Sequence, residues 1–334
     1  MAKQLTLHEV EFLAQQALAA SGADAEHSAV VAQSIAQAEA QGIRNVGLAY
    51  LPTYCAHLRC GKVDGSAQSR HEGVAPAILR VDAAHGFAHT AFLKALPDFV
   101  AMVRVQGVAM MTIRRSYSAG VLGWFIHRLL DHGLVNLAFA NASAMMAPVG
   151  GSKPVFGTNP WGFGVPRDGA EAIVADMSST ATARVNVIAA ARLGGTIPAG
   201  WAIDQNGQPT TDPQAALAGT MAPAAGHKGY ALALLVDVLA AGLAGANWSF
   251  EASSLLDDTG GPPGVGQCFI AIDPGRCAPG FAHRVACLAQ VIGEQEGARL
   301  PGAGRSGHTL DALANGVEVP ESLLAELRAL TVPA

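Results

Sequence analysis

Apolar residues recur at helical spacing through roughly the first sixty positions, and in short runs separated by amphipathic stretches from about residue 76. Thr6-x-x-Glu9 has the form of a capping box and predicts a helix that Gly22 closes. A second helix is predicted from Asp24 or Ala25 to Gln41, with Val30, Val31, Ile35 and Ala38 on one face and Gly42 behind it. A third covers Leu48 to Arg59, with Pro52 tolerated in its first turns. Together they predict an all-helical N-terminal lobe, residues 1–75.

Val108 to Ile113, Val135 to Ala140, Ile173 to Val174 and Cys268 to Ile272 read as strands, and Ala88 to Val105, Ser118 to Asp131 and Lys228 to Leu243 as the helices between them. This alternation predicts an α/β or α+β body, residues 76–305. Gly and Pro crowd Pro148 to Pro166 and Gly260 to Gly266, so both are expected to be loops, the first long enough to be functional. Pro320 to Leu330 reads as a closing helix within a C-terminal segment, 306–334, expected to return to the N-terminal lobe.

Composition narrows the function classes. Half the residues are apolar and 14% are charged, a low charge density that suggests extensive burial and a homo-oligomeric interface. Net charge is -5 with no basic run, which disfavours nucleic acid and anionic membranes as partners. The five cysteines show no C-x-x-C spacing, arguing against a disulfide framework and a zinc site; no metal is expected. Met1 to Thr6 carries no apolar leader region, and the apolar stretch Ala231 to Leu243 is short and holds Asp237, so a cytoplasmic protein is expected.

Gly302-Ala-Gly304-Arg-Ser-Gly307 matches the letters of the dinucleotide fingerprint, but Arg299-Leu-Pro301 is no strand and too little chain follows for a second one. It is expected to be a turn, flanked by Arg299 and Arg305 as phosphate-gripping groups. Gly226-His227-Lys228-Gly229 precedes an apolar helix, where free amides and a lysine suit an anion; a plain loop with a surface lysine is the alternative. Phe156-Gly-Thr-Asn-Pro160, followed by Gly162-Phe-Gly164, offers close backbone approach with Thr158 and Asn159 as hydrogen-bonding groups, or simply a turn.

Gly157-Thr-Asn-Pro160, Ile173-Val-Ala-Asp176, Arg192-Leu-Gly-Gly-Thr-Ile-Pro-Ala-Gly200, Gly226-His-Lys-Gly229 and Asn247-Trp-Ser-Phe-Glu251 occur in the order found in one family. With Arg80-Val-Asp82, Gly86-Phe-Ala88 and Arg299-Leu-Pro-Gly302, the chain resembles the type 2 malate/L-lactate dehydrogenases from about Gly42 to Arg305. Within that family it is most similar to the Δ1-piperideine-2-carboxylate and Δ1-pyrroline-2-carboxylate reductases. The resemblance implies a non-Rossmann nicotinamide-binding α/β fold, a mixed and largely antiparallel sheet body with a helical N-terminal lobe. It also implies a homodimer with the active site near the interface, and NAD(P)(H) as cofactor, NADP(H) placed ahead of NAD(H). Carried over by position, cofactor contacts fall on Ser118, Ala119, Gly120, Val121 and Leu122, on Asp176, Met177 and Ser178, on His227 and Lys228, and on Arg299 and Arg305. Substrate contacts fall on Thr158, Arg184 and Val185.

The match breaks at the proton relay. Where the family carries Ser-His-Gly this chain reads Asn45-Val46-Gly47, and the relay aspartate is Asn186. A following arginine is replaced by Tyr50, and a histidine of the cofactor loop by Ser118. Losing a general acid typically costs ~10²- to 10⁴-fold in rate. A ketone feels that loss in full, whereas an imine nitrogen is basic enough to arrive protonated from solvent. Tyr50 and Tyr117 are the nearest substitute donors, against the reading of each as a buried structural tyrosine. Arg184 is a bidentate clamp for the substrate carboxylate, against a surface arginine. The expected activity is NAD(P)H-dependent reduction of a small cyclic imine carboxylate. The alternatives are a member repurposed for non-redox catalysis or ligand binding, and a 2-oxo acid/2-hydroxy acid dehydrogenase.

Overall fold

The computed structural model describes residues 2–332. Met1, at the head of the stretch read for a leader, and residues 333 and 334, at the tail of the C-terminal segment, lie outside the described residues. The N-terminal part consists of β1 (Ala2–Leu5), α1 (Leu7–Ala20), α2 (Ala25–Ala40), two 3₁₀ turns at Arg44–Val46 and Leu48–Tyr50, and α3 (Leu51–Arg59). The capping box is present, with Thr6 Oγ1 accepting from the Glu9 amide at 3.2 Å and Glu9 Oε2 from the Thr6 amide at 2.8 Å. Two expectations change here. β1, and the stretch Arg70–Ala75 at the end of the lobe, are strands rather than helix, and Leu48–Tyr50 is 3₁₀ because Pro52 has no N–H to close an α turn on Leu48 O, which accepts from the Leu51 amide instead.

The body runs β2 (Arg70–Ala75), β3 (Ile78–Asp82), α4 (Ala88–Gln106), β4 (Val108–Ser116), α5 (Leu122–Leu130), β5 (Val135–Ala140), β6 (Trp161–Val165), β7 (Ile173–Met177) and α6 (Arg184–Arg192). Then come β8 (Ala202–Ile203), β9 (Pro209–Thr210), α7 (Pro213–Ala218), β10 (Thr220–Met221), α8 (His227–Asp237), β11 (Val265–Ile272), α9 (Pro274–Cys277) and α10 (Phe281–Gly293). The chain closes with α11 (Ala303–Asn315), β12 (Val317–Pro320) and α12 (Glu321–Ala329). One sheet has the order β2-β3-β4-β11-β5-β6-β7. Only β3 and β4 are parallel, so the sheet is not the doubly wound parallel kind. β8, β9 and β10 form a small second sheet, and β1 pairs with β12.

Four local expectations are corrected. Ser118–Val121 is loop rather than helix, because Gly120 turns at φ +59° with its amide on Ser118 Oγ, and α5 begins at Leu122. The Gly-rich stretch to Pro166 contains β6. A Cβ on Gly162 would stand 2.4 Å from the Ala175 carbonyl and 2.7 Å from Ile126, so the glycines that suggested a loop allow β6 to lie between β7 and α5. The helix expected to Leu243 is α-helical only to Asp237 and then widens into a π turn at Val238–Gly242. Gly302–Gly307 is no turn: Gly302 is the left-handed cap of α11 and the later glycines lie inside it.

The sheet core packs Phe92, Phe99, Trp124, Phe125 and Phe269 between α4, α5 and the strands. A separate cluster joins α1, α2 and α3 to Val317, Val319, Leu324 and Leu327 of the C-terminal elements. All five cysteines are free, and among the described residues no helix is long and apolar enough to cross a membrane. No metal-holding cluster occurs among them either.

Candidate active site

Two helix starts meet the C-terminal end of β7, and the loop that follows β7 bonds the segment leading into a third. Asp176 Oδ2 accepts from the Gly123 amide in the first turn of α5 at 2.9 Å. Arg305, in the first turn of α11, donates to the Asp176 carbonyl at 3.0 Å and stands 3.5 Å from Oδ2. Burial pushes the Asp176 carboxyl above its ordinary value, with the Gly123 amide and Arg305 opposing. The next residues turn toward the third helix. Ser179 donates its amide to the Thr158 carbonyl at 2.9 Å and accepts the Ala224 amide at 2.9 Å, and Ser178 Oγ bonds Thr158 O at 3.1 Å. Gly229 lets this loop close, since a Cβ there would sit 2.1 Å from Ala224 O, and it leaves His227 and Lys228 exposed at the start of α8.

Of the expected cofactor positions, the end of the Ser118–Leu122 loop, Asp176 and Arg305 come together, while His227 and Lys228 lie exposed beyond the Ala224 amide that bonds Ser179; Arg299 is an exposed residue ahead of α11. The residues fit a dinucleotide. Neither α8 nor α11 has a side chain capping its first amides, and Lys228 has no carboxylate partner among the described residues. Beside Arg305 lies a cavity of about 660 Å³, lined also by Gln41, Arg128, Arg167 and Ser306.

The relay positions hold no acid or base. Asn45 is exposed and Val46 half-buried on the first 3₁₀ turn, while Asn186 is exposed on α6 with Nδ2 on Thr182 Oγ1 at 2.8 Å. No hydrogen bond among the described residues joins them. The turn is braced from α2: Glu39 Oε1 accepts the Leu48 amide at 2.7 Å and leaves no room for a Cβ on Gly47, at 2.3 Å. Burial pushes the Glu39 carboxyl up.

Tyr50 is half-buried and its hydroxyl donates to Leu255 O at 3.2 Å, whereas Tyr117 is fully buried with its hydroxyl 2.5 Å from His57 Nδ1. Burial raises both phenols, so neither is an acidic group near neutrality. Arg184 lines a second cavity of about 430 Å³ with Ser143, Met145, Ser254 and Leu256. Its Nη2 donates to Leu217 O at 3.0 Å, and no carboxylate lies within ion-pair distance among the described residues. Burial lowers its affinity for the proton. Val185 beside it is exposed.

Sequence reasoning named Asn159 as a hydrogen-bonding group but gave no structural role to Asn141, Asp237 or Ser249. Asn159 is fully buried, with Nδ2 on Ala233 O at 2.9 Å and Oδ1 accepting from Ser249 Oγ at 3.1 Å. Ser249 and Asn141 also bond Asp237 Oδ1, at 2.9 and 3.1 Å. The Gly-Thr-Asn-Pro and Asn-Trp-Ser motifs therefore meet in one buried network that holds the pocket floor. An aspartate inside an apolar helix was the signal for it.

The profile of the malate/L-lactate dehydrogenases matches residues 5–328. The chain belongs to this family. It is 42% identical to (2R)-3-sulfolactate dehydrogenase (NADP(+)) of Chromohalobacter salexigens, over 99% of each chain. It is 38% identical to Δ1-pyrroline-2-carboxylate reductase of Ancylobacter novellus, over 98% of this chain and 97% of that one. Among solved structures, Δ1-piperideine-2-carboxylate reductase from Pseudomonas syringae superposes with a TM-score of 0.93 at 35% identity, covering 98% and 99% of the two chains. The mixed, non-Rossmann architecture of the malate/L-lactate dehydrogenase family is therefore the architecture of this chain.

Proposed function

We propose that the protein is an NAD(P)H-dependent oxidoreductase that reduces the C=N bond of a small cyclic imine carboxylate. The observation that carries this reading is the pairing of a retained cofactor neighbourhood, Asp176 with Gly123 and Arg305, with relay positions Asn45, Val46 and Asn186 that cannot donate a proton. Bound nicotinamide supplies a hydride to the carbon beside the carboxylate. The imine nitrogen enters already protonated, so addition of hydride completes the amine and no side-chain acid is required. Arg184, which lines the second cavity, holds the carboxylate, with Val185 next to it in sequence and Thr158 as the further substrate contacts, and the site gains most of its rate from orientation and charge. Tyr50 bonds the Leu255 carbonyl, between the lining residues Ser254 and Leu256, and Tyr117 stands behind it on His57.

The 42% identical relative favours a second reading, a 2-hydroxy acid dehydrogenase whose substrate bears a second anionic group. NADP(H) is put ahead of NAD(H) because the cavity beside Arg305 is lined by three guanidinium groups, Arg128, Arg167 and Arg305, against two carboxylates, Asp131 and Glu171, a balance suited to an extra phosphate. A homodimer is supported by exposed Leu234, Leu235 and Leu243 along one helical stretch and by Phe250 beyond it. The free thiols suit a cytoplasmic setting. The division into a lobe 1–75, a body 76–305 and a returning segment 306–334 is supported by β12 pairing with β1 and by Leu324 and Leu327 of α12 packing with α1, α2 and α3, although β2 (Arg70–Ala75) pairs into the body sheet.

Fluorescence titration with NADPH and NADH tests the cofactor, and binding of neither would end the reductase reading in favour of a repurposed member. Loss of reduced-cofactor absorbance with Δ1-piperideine-2-carboxylate, Δ1-pyrroline-2-carboxylate and 3-sulfopyruvate then ranks the two substrates classes. Turnover of the oxo acid alone would replace the first reading by the second.

A further inference from the structure

The wall facing Arg184 is an irregular segment with no helix or strand, yet it is fixed at four points by side chains from the neighbourhood of α3. Alternate residues Phe250, Ala252, Ser254 and Leu256 line the cavity. Carbonyls of the same segment face α3. Lys62 Nζ donates to Ser254 O and to Asp257 O, the latter at 2.7 Å. His57 Nε2 bonds Asp257 O at 3.0 Å, and Tyr50 Oη bonds Leu255 O at 3.2 Å.

Lys62 is fully buried, and its only carboxylate neighbour among the described residues, Asp257 Oδ1, is 3.9 Å away. Burying an ammonium costs several kcal/mol unless its donors are satisfied. Here backbone carbonyls satisfy it, so the charge is committed to holding this segment. His57 is committed too. A carbonyl can only accept, so Nε2 carries the hydrogen; Nδ1 is then bare, burial keeps the ring neutral, and Tyr117 donates to it.

We propose that Lys62 and His57 are positioning residues that set the distance between the wall at residues 250–256 and Arg184, and through it the size of carboxylate substrate accepted. The inference rests on the reading of the Arg184 cavity as the substrate pocket. Tyr50, at the position of a family arginine, has joined the same anchor.

The test compares Lys62→Met, Lys62→Arg and Leu256→Ala with the unaltered enzyme. Lys62→Met raises KM for Δ1-piperideine-2-carboxylate about tenfold, equal to about 1.4 kcal/mol, while kcat and NADPH affinity hold; Lys62→Arg recovers most of the loss. Leu256→Ala, an exposed wall residue outside the anchor, changes the preference between five- and six-membered imines without moving the melting temperature. Lys62→Met that lowers the melting temperature but leaves KM unchanged would overturn the proposal, as would an unchanged ring-size preference in Leu256→Ala. Limited proteolysis separates this failure from that of the activity itself. Cleavage between 250 and 260 accelerates in Lys62→Met and not in Lys62→Arg even if no imine is turned over; equal cleavage in all forms counts against the anchor.

Discussion

Gly302 and Gly307 stand five residues apart in one glycine-rich phrase, and replacing each by alanine has opposite consequences. Gly302 sits at φ +84°, where an alanine costs about 1–2 kcal/mol. Its Cβ would also lie 2.6 Å from the Val174 carbonyl, a backbone atom that no rotamer change can move aside. Overpacking of this kind adds about 1–3 kcal/mol, so Gly302→Ala loses about 2–5 kcal/mol. The clash also pushes the start of α11 away from β7. Arg305 then leaves the Asp176 carbonyl, and NADPH affinity drops about tenfold or more, a difference of 1.4 kcal/mol or above. Gly307 lies inside α11 with nothing within 4 Å of a built Cβ, so Gly307→Ala gains about 0.5–1 kcal/mol of helix propensity. Urea unfolding gives the two stabilities and fluorescence titration the affinities. A Gly302→Ala protein as stable as the parent, or a destabilised Gly307→Ala, would refute the reasoning.

Restoring the relay as Asn45→Ser, Val46→His and Asn186→Asp raises turnover of 2-oxo acids by up to about 10²- to 10⁴-fold and leaves imine turnover little changed; an unaltered ratio in steady-state assays contradicts the relay argument. His89 is fully buried against Trp124 and Phe125, both ring nitrogens lack partners, and burial lowers its pKa to about 3 from 6.5. The unfolded chain therefore binds the extra proton between those values, and this contribution to stability, up to about 1.4 kcal/mol per pH unit, is present above pH 6.5 and lost as pH falls toward 3. His89→Phe removes that slope from the unfolding free energy measured against pH, and an unchanged slope would show that another group produces it.

The elements with strong periodicity were legible. α1, α2, α4 and β5 emerge where the apolar spacing, caps and closing glycines put them. What escaped was structure that exists only through a partner. β1 and β12 are four residues each and are strands only because they pair with each other. β6 looked like a loop since its glycines answer to Ile126 and Ala175, which are distant along the chain. The site divided the same way. Asp176, Lys228 and Arg305 belonged to phrases that could be matched, whereas Lys62, His57 and Glu39 hold carbonyls and amides, and no local pattern announces a side chain bonded to backbone far away in sequence.

That division bears on the chemistry. The carboxylates that close the neighbourhood, Asp176, Asp237 and Glu39, are each engaged by an amide, hydroxyl or guanidinium and are structural at the atoms described. The cation lining the Arg184 cavity is a guanidinium, which stays protonated and cannot pass a proton to an alkoxide forming beside it. A carbonyl reduced there would depend on water for that proton, while a protonated imine loses its positive charge as hydride arrives and needs only its carboxylate held. On the proposed function, Arg184, with no carboxylate partner among the described residues, and the silent relay favour the same electrophile: one that brings its own proton and offers an anion to grip.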